Sequence, residues 1–245
     1  MPNFIKETLG IIGGCGVAAA NELMLRIEKR LTELGCTDDS QQPEIILFQA
    51  TQAPSRIAFA SKMSKESFVP RFIEVGKCLK KCGATLCCIP CNTAHCAIDE
   101  IEHEVGLPFI NIIEETLKSI RLNFPETKKV GVICSSGTRI SEIYQNTAKK
   151  IGCSFDIVLP NEQFQSYIDT GIASVKGGLQ YRSHEKAASY FLPAANDLLD
   201  DGAEILVLGC TEIPLAIRDE SYRNIRIVDT IDVLANACIE RCRID

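Results

Sequence analysis

Nowhere in the 245 residues do apolar side chains run unbroken for the roughly 18 positions that a membrane-crossing helix needs. The opening stretch MPNFIKETLGIIGG lacks the apolar core of a secretory leader, so none is expected there. Basic charge is also scarce. Against 32 Asp and Glu stand 26 Lys and Arg, a formal charge of −6, and no basic run or basic amphipathic stretch occurs. Neither nucleic acid nor a membrane surface is therefore expected as a partner, and an anionic ligand must be held by local groups. Low-complexity tracts and long linkers are missing as well. What remains is a chain with 46% apolar and 24% charged residues, enough to bury a sizeable core in one or two domains. These absences predict a soluble, cytoplasmic protein.

Cysteine, in contrast, is abundant. There are 13, an odd number, and in a cytosolic setting free thiols are the default. Residues 87–96 read CCIPCNTAHC, so Cys88, Cys91, His95 and Cys96 have a spacing compatible with zinc. Cys88 falls inside an apolar strand run and Cys91 at its end, and strand alternation makes a shared tetrahedral site awkward, so no metal is expected. Cys36, Cys78, Cys82, Cys87, Cys88, Cys134, Cys153, Cys238 and Cys242 read as small buried hydrophobes.

Short β-branched runs alternate with helical patterns, which predicts α/β architecture with mostly parallel sheets flanked by helices. Strands are expected at 9–13, 44–49, 85–90, 108–112, 129–135, 155–159, 204–209 and 225–229. Helices are expected between them, among them AANELMLRIEKRLTELG and FVPRFIEVGKCLKKCG, where Phe72, Val75 and Leu79 share a face. An internal repeat organises this series. LGIIGGCG (9–16) is echoed by VGVICSSG (130–137) at an offset of 121, and GATLCCIPC (83–91) by GAEILVLGC (202–210) at an offset of 119. EIILF and DIVLP, then FIN and IVD, continue the series in the same order. Two pseudo-symmetric α/β domains facing each other across a cleft are expected, the first from 1–114 plus 215–245 and the second from 115–214.

Ligands of parallel sheets bind beyond the carboxyl ends of the strands. GGCG with Gly14, PCNTAH, CSSGT and GCTE reach that edge. Of the cysteines in CCIPCNTAHC only Cys91 has a counterpart, Cys210. Each begins a turn into the next helix, whose field is expected to lower the thiol pKa. Asn92, Thr93, Ser136, Thr138 and Thr211 bring donors to the same edge, although Thr93 and Thr211 read equally well as helix caps. His95 and Glu212, four and two residues after the thiols, would orient substrate, tune a thiol or simply pack. Two thiols facing a cleft suggest a two-base reaction: one removes a proton from a carbon and the other returns one to the opposite face. That chemistry needs the sulfurs apart, not bonded.

The segments Gly13-Gly14-Cys15-Gly16, Pro90-Cys91-Asn92-Thr93-Ala94-His95 and Leu208-Gly209-Cys210-Thr211-Glu212-Ile213-Pro214, in this order and spacing, resemble the aspartate/glutamate racemase superfamily, and its aspartate racemase branch in particular. The resemblance spans essentially the whole chain. It implies a cofactor-independent racemase interconverting L- and D-aspartate or glutamate without pyridoxal phosphate, a site between two α/β domains, a homodimer, and Cys91 and Cys210 as the acid/base pair. It also implies that Arg56, in the segment QAPSR that begins at Gln52, and Lys176 in SVKGG hold the distal carboxylate of a dicarboxylic amino acid. Cys15 stands where the family usually has methionine, and Ser55-Arg56-Ile57 where it usually has Asp-Arg-Thr. Two alternatives stay open: a related isomerase or racemase of another small carboxylic acid, and a non-catalytic thiol-rich or zinc-binding protein.

Overall fold

In the computed structural model the described residues are 3–4 and 7–244; the rest of the opening stretch read for a leader lies outside them. Among the described residues there are eleven strands: β1 (Asn3–Phe4), β2 (Leu9–Gly13), β3 (Ile45–Gln49), β4 (Leu86–Cys88), β5 (Phe109–Ile110), β6 (Lys129–Ile133), β7 (Asp156–Val158), β8 (Ile205–Leu208), β9 (Ser221–Tyr222), β10 (Ile225–Asp229) and β11 (Arg243–Ile244). The eight strands expected from the sequence are β2 to β8 and β10, several of them shorter than expected. The other three are two-residue pairings.

The first sheet has the order β3-β2-β4-β5 and is wholly parallel. The second has the order β7-β6-β8-β10-β9, parallel apart from the edge strand β9. The repeat is thus realised strand for strand, and its register repeats too. Leu9 lies opposite Leu86 as Val130 lies opposite Ile205, and Cys87 opposite Phe109 as Leu206 opposite Ile227.

Strand alternation sorts each sheet's side chains into two cores. Leu9, Ile11, Leu86 and Cys88 of the first sheet share one continuous core with Val130, Val132, Ile205 and Val207 of the second. Helices Ile112–Asn123 and Thr230–Cys242 supply Ile113, Leu117, Ile120, Ile231, Leu234 and Cys238 to it. The alternate positions face outward: Ile12 and Cys87 pack with Phe72, Val75 and Leu79, while Ile133, Leu206 and Leu208 pack with Ile168, Ile172 and Phe191. Of the stretch 215–245, β10 therefore belongs to the second sheet, whereas helix Thr230–Cys242 packs on helices Val17–Glu33 and Ile112–Asn123.

Helix Val17–Glu33 buries Ala19, Ala20, Leu23, Ile27 and Leu31 at helical spacing, and the chain turns away at Gly35 with φ +89°. Helix Val69–Lys81 has Pro70 in its first turn, where no amide bond is lost, and buries Phe72, Val75 and Leu79. Burying each such side chain contributes about 1.5–3 kcal/mol. Cys78 and Cys82 are exposed, contrary to the expectation of burial, because they fall on the solvent side of this helix and at its end. Among the described residues no helix is long and apolar enough to cross a membrane.

Candidate active site

Four strand ends converge at one edge. Strand β2 turns at Gly14, whose φ of +83° and approach to the Ala50 backbone, 2.6 Å from where a Cβ would lie, require glycine. Cys15 and Gly16 then lead into helix Val17–Glu33. Strand β4 continues through Cys91 and Asn92 into a 3-10 turn, Thr93–Ala97. Strand β8 continues through Cys210, Thr211 and Glu212 into the short helix Ile213–Ala216. The two halves interlock by the repeat. A Cβ on Gly16 would fall 2.0 Å from Glu212 Oε1, and a Cβ on its equivalent Gly137 would fall 2.8 Å from Thr93 Cγ2, where Thr93 is the equivalent of Glu212.

The two interlocks differ in chemistry. Around Thr93 the gap is filled by hydroxyls: its Oγ1 is 2.9 Å from Ser135 Oγ and 2.8 Å from Thr138 Oγ1, all buried. Around Glu212 it is charged and open. A cavity of about 540 Å³ is lined there by Gly14, Cys15, Arg56, Lys176 and Glu212. Cys210 Sγ donates to Glu212 Oε2 at 3.1 Å, and Lys176 Nζ lies 3.6 Å from Glu212 Oε1. Arg56 Nη2 donates to the Cys15 carbonyl at 2.8 Å and its Nη1 to the Pro54 carbonyl at 3.1 Å, and the guanidinium charge reaches Cys91. Two buried atoms of this wall, Glu212 Oε1 and Arg56 Nε, have no hydrogen-bond partner.

The environments push the paired thiols apart. A side-chain hydrogen bond from Cys15, helped by the charges of Arg56 and Lys176, outweighs burial and lowers Cys91 to about 6. Cys15 is raised, by that same bond and by burial. Cys210 is also raised, first by burial and then by the negative charge of Glu212. The expectation that a helix field lowers both thiols is therefore corrected for Cys210. The helix after it has only four residues, and burial beside a carboxylate dominates. Lys176 is raised despite burial, because the charges of Glu212, Cys210 and Cys91 favour its ammonium form.

The remaining residues singled out in the sequence lie around this centre in different ways. Asn92 is buried, accepting from Tyr144 Oη at 2.7 Å and donating to Thr230 Oγ1 at 3.3 Å. Thr211 donates to the Pro90 carbonyl at 3.1 Å, linking the two thiol-bearing turns. His95 accepts from the Ile112 amide at Nε2, so Nδ1 carries the proton and donates to the Cys91 carbonyl at 2.9 Å; burial lowers its pKa to about 4. It holds the Cys91 turn as a neutral ring. Ser136 lines a separate depression with Arg139 and Gln165, and its amide donates to Asp169. Gln52 is exposed, while its neighbours Thr51 and Ala53 line the cavity.

The zinc-like spacing does not become a site. Cys88 faces the central core in the cluster that also holds Cys238, His95 is spent on backbone, and Cys96 is exposed. Among the described residues no group of three or more His, Cys, Asp or Glu is arranged to hold a metal ion. All thirteen cysteines are free thiols. The contact of Cys15 with Cys91 and the Tyr144–Asn92 bond were not legible in advance. For Cys15 the only signal was an extra thiol in the glycine turn, and for Tyr144 there was none.

Fold and site together define a pseudo-symmetric α/β protein with one strand-end thiol from each half, neither of them lining the cavity of mixed charge itself but each next to residues that do, Cys210 through Glu212 and Cys91 through the cluster it shares with Cys15. The chain belongs to the Asp/Glu/Hydantoin racemase family, which it matches over residues 12–238. It is 24% identical over 232 residues to a broad-specificity amino-acid racemase of Bacillus subtilis, covering 94% of this chain and 96% of that protein. It is 30% identical over 158 residues to the glutamate racemase of Aquifex aeolicus, covering 64% and 57% respectively. Among solved structures, the Picrophilus torridus aspartate racemase superposes with a TM-score of 0.82 at 24% identity, covering 98% of this chain and 96% of that one.

Proposed function

We propose that the protein is a cofactor-independent amino-acid racemase that inverts Cα by two-base proton transfer between Cys91 and Cys210. The observation that carries this is the placement of two sulfurs related by the repeat at the ends of β4 and β8, in turns that Thr211 ties together through the Pro90 carbonyl; the lowered pKa of Cys91 and the raised pKa of Cys210 agree with one acting as base and the other as acid. One abstracts while the other delivers, and each turnover leaves the proton on the other sulfur. The obstacle is the weak acidity of Cα–H beside an ionised carboxylate. Lys176 and the unpartnered Nε–H of Arg56 supply positive charge for carboxylate groups, and a well-aimed donor of this kind is worth roughly 2.7–4 kcal/mol in related oxyanion sites. Glu212, whose buried Oε1 is ion-paired with Lys176 but accepts no hydrogen bond, supplies an acceptor for an ammonium group.

Aspartate is the substrate we propose, with glutamate second, because two cations on the wall accommodate a dicarboxylate. A second reading, racemisation of amino acids with larger side chains, is favoured by the size of the cavity and by Val17, Ala18, Leu215 and Tyr181 on its wall. Assembly as a homodimer and a cytoplasmic setting belong to the same proposal. The test is polarimetry and Cα deuterium incorporation in D2O across aspartate, glutamate and larger amino acids. Racemisation with exchange is expected for one of these classes; exchange with none of them would overturn the proposal. Cys91→Ala and Cys210→Ala should each abolish racemisation while leaving the melting temperature near that of the parent, and two-way racemisation by either variant would refute the two-base scheme.

A further inference from the structure

We propose that Cys91 is a site of reversible oxidation by hydroperoxides and that Cys15 is its resolving thiol, the two closing into an intramolecular disulfide. The two residues leave β2 and β4, which are paired neighbours in the first sheet, and their side chains pack in the same core cluster. Cys15 lines the cavity, and its carbonyl is fixed by Arg56, whose guanidinium charge also reaches Cys91. Cys91 is half-buried, whereas Cys210 is 7% exposed and held by a carboxylate. A thiolate flanked by cations and open to solvent is the form that attacks a peroxide, and a neighbouring thiol is what captures the product. The lowered pKa of Cys91 agrees with this geometry.

The chemistry balances without a cofactor. The Cys91 thiolate attacks the terminal peroxide oxygen, the O–O bond breaks, and with one proton water or an alcohol leaves. Sulfur is oxidised to sulfenic acid and the peroxide is reduced. Cys15 sulfur then attacks the Cys91 sulfur, the S–O bond breaks, and a second water carries away the thiol proton as the S–S bond forms. A dithiol reverses this by exchange. The disulfide removes the base on which the proposed racemisation rests, so activity would be lost reversibly. Cys15 would also intercept Cys91 before it advances to the irreversible sulfinic and sulfonic acids.

Peptide mapping by mass spectrometry after hydrogen peroxide treatment tests this without relying on any racemase activity. The parent protein is expected to give a Cys15–Cys91 linked peptide lacking two hydrogens, which dithiothreitol returns to free thiols. Cys15→Ser and Cys15→Met are expected to accumulate Cys91 carrying two or three added oxygens that dithiothreitol does not remove. Circular dichroism of both variants identifies one that keeps the fold. The inference is overturned if parental Cys91 accumulates sulfinic or sulfonic acid, if it links to Cys210 or Cys96 instead, or if it stays reduced at peroxide levels that oxidise the exposed Cys78 and Cys82. Failure of racemisation with every amino acid would leave this map readable, so the two proposals fail separately.

Discussion

A thiol pair with one proton between its members has a defined pH window. The thiolate fraction of Cys91 rises with pH through about 6, and Cys210 keeps its proton beyond its ordinary value of 9.0. The singly protonated pair serves both directions of a two-base reaction, so both enantiomers should share one profile. kcat/KM is expected to climb near pH 6, hold a plateau, and fall only above about 9. Burial sets the upper limb first, and Glu212 moves it further up, because its negative charge and hydrogen bond favour the protonated thiol. Glu212→Gln removes a charge that raises both thiols, so both limbs should move to lower pH, the falling limb further because Glu212 also hydrogen bonds Cys210; an unmoved upper limb would mean that Glu212 does not govern Cys210. Iodoacetamide labelling of Cys91 against pH gives the lower limb independently of turnover.

Between residue and molecule, the elements serve to hold these turns rigid. Helix Val69–Lys81 covers the outer face of the first sheet, with Phe72 fully buried and its ring 5.1 Å from that of Phe68. Phe72→Ala leaves a cavity under β2 and β4, and by the usual cost of such truncations should destabilise the fold by about 3–5 kcal/mol. Chemical denaturation would measure it, and a loss below about 1 kcal/mol would mean the helix repacks. This helix and the eight main strands were legible in the sequence because their apolar periods are local. The pairings of β1 with β11 and β9 with β10 were not, since two-residue strands have no period and are held by partners distant in the chain.

At the scale of the whole molecule, one polar chain crosses from half to half. Tyr144 Oη donates to Asn92 Oδ1, Asn92 Nδ2 donates to Thr230, and Thr230 donates to the Leu208 carbonyl at the end of the strand before Cys210. The two thiol-bearing turns are thereby tied together through buried groups. Arg26 adds a further tie, pairing with Asp229 and, at 2.8 Å, with Asp232. Tyr144→Phe leaves buried Asn92 Oδ1 without its donor and is expected to cost about 1–3 kcal/mol. With about 2–4 °C per kcal/mol for a chain of this size, differential scanning calorimetry should register a lower Tm. An unchanged Tm would show that this bond is not part of what couples the halves.

The sequence by itself determined the α/β class, the series of strands shared by the two halves, and the equivalence of Cys91 and Cys210 within the repeat, because period, turn chemistry and repeat offsets are properties of neighbouring residues. It also carried the family, through three motifs in fixed order. Only the tertiary structure decided which thiol is ionised, for the two cysteines occupy equivalent places in the repeat and differ in what reaches them from elsewhere. Cys91 meets Cys15 and Arg56, from the turns after two neighbouring strands, while Cys210 is buried against Glu212. A pKa is set by the charges and water within a few ångströms, and which groups lie there is a matter of how distant segments pack.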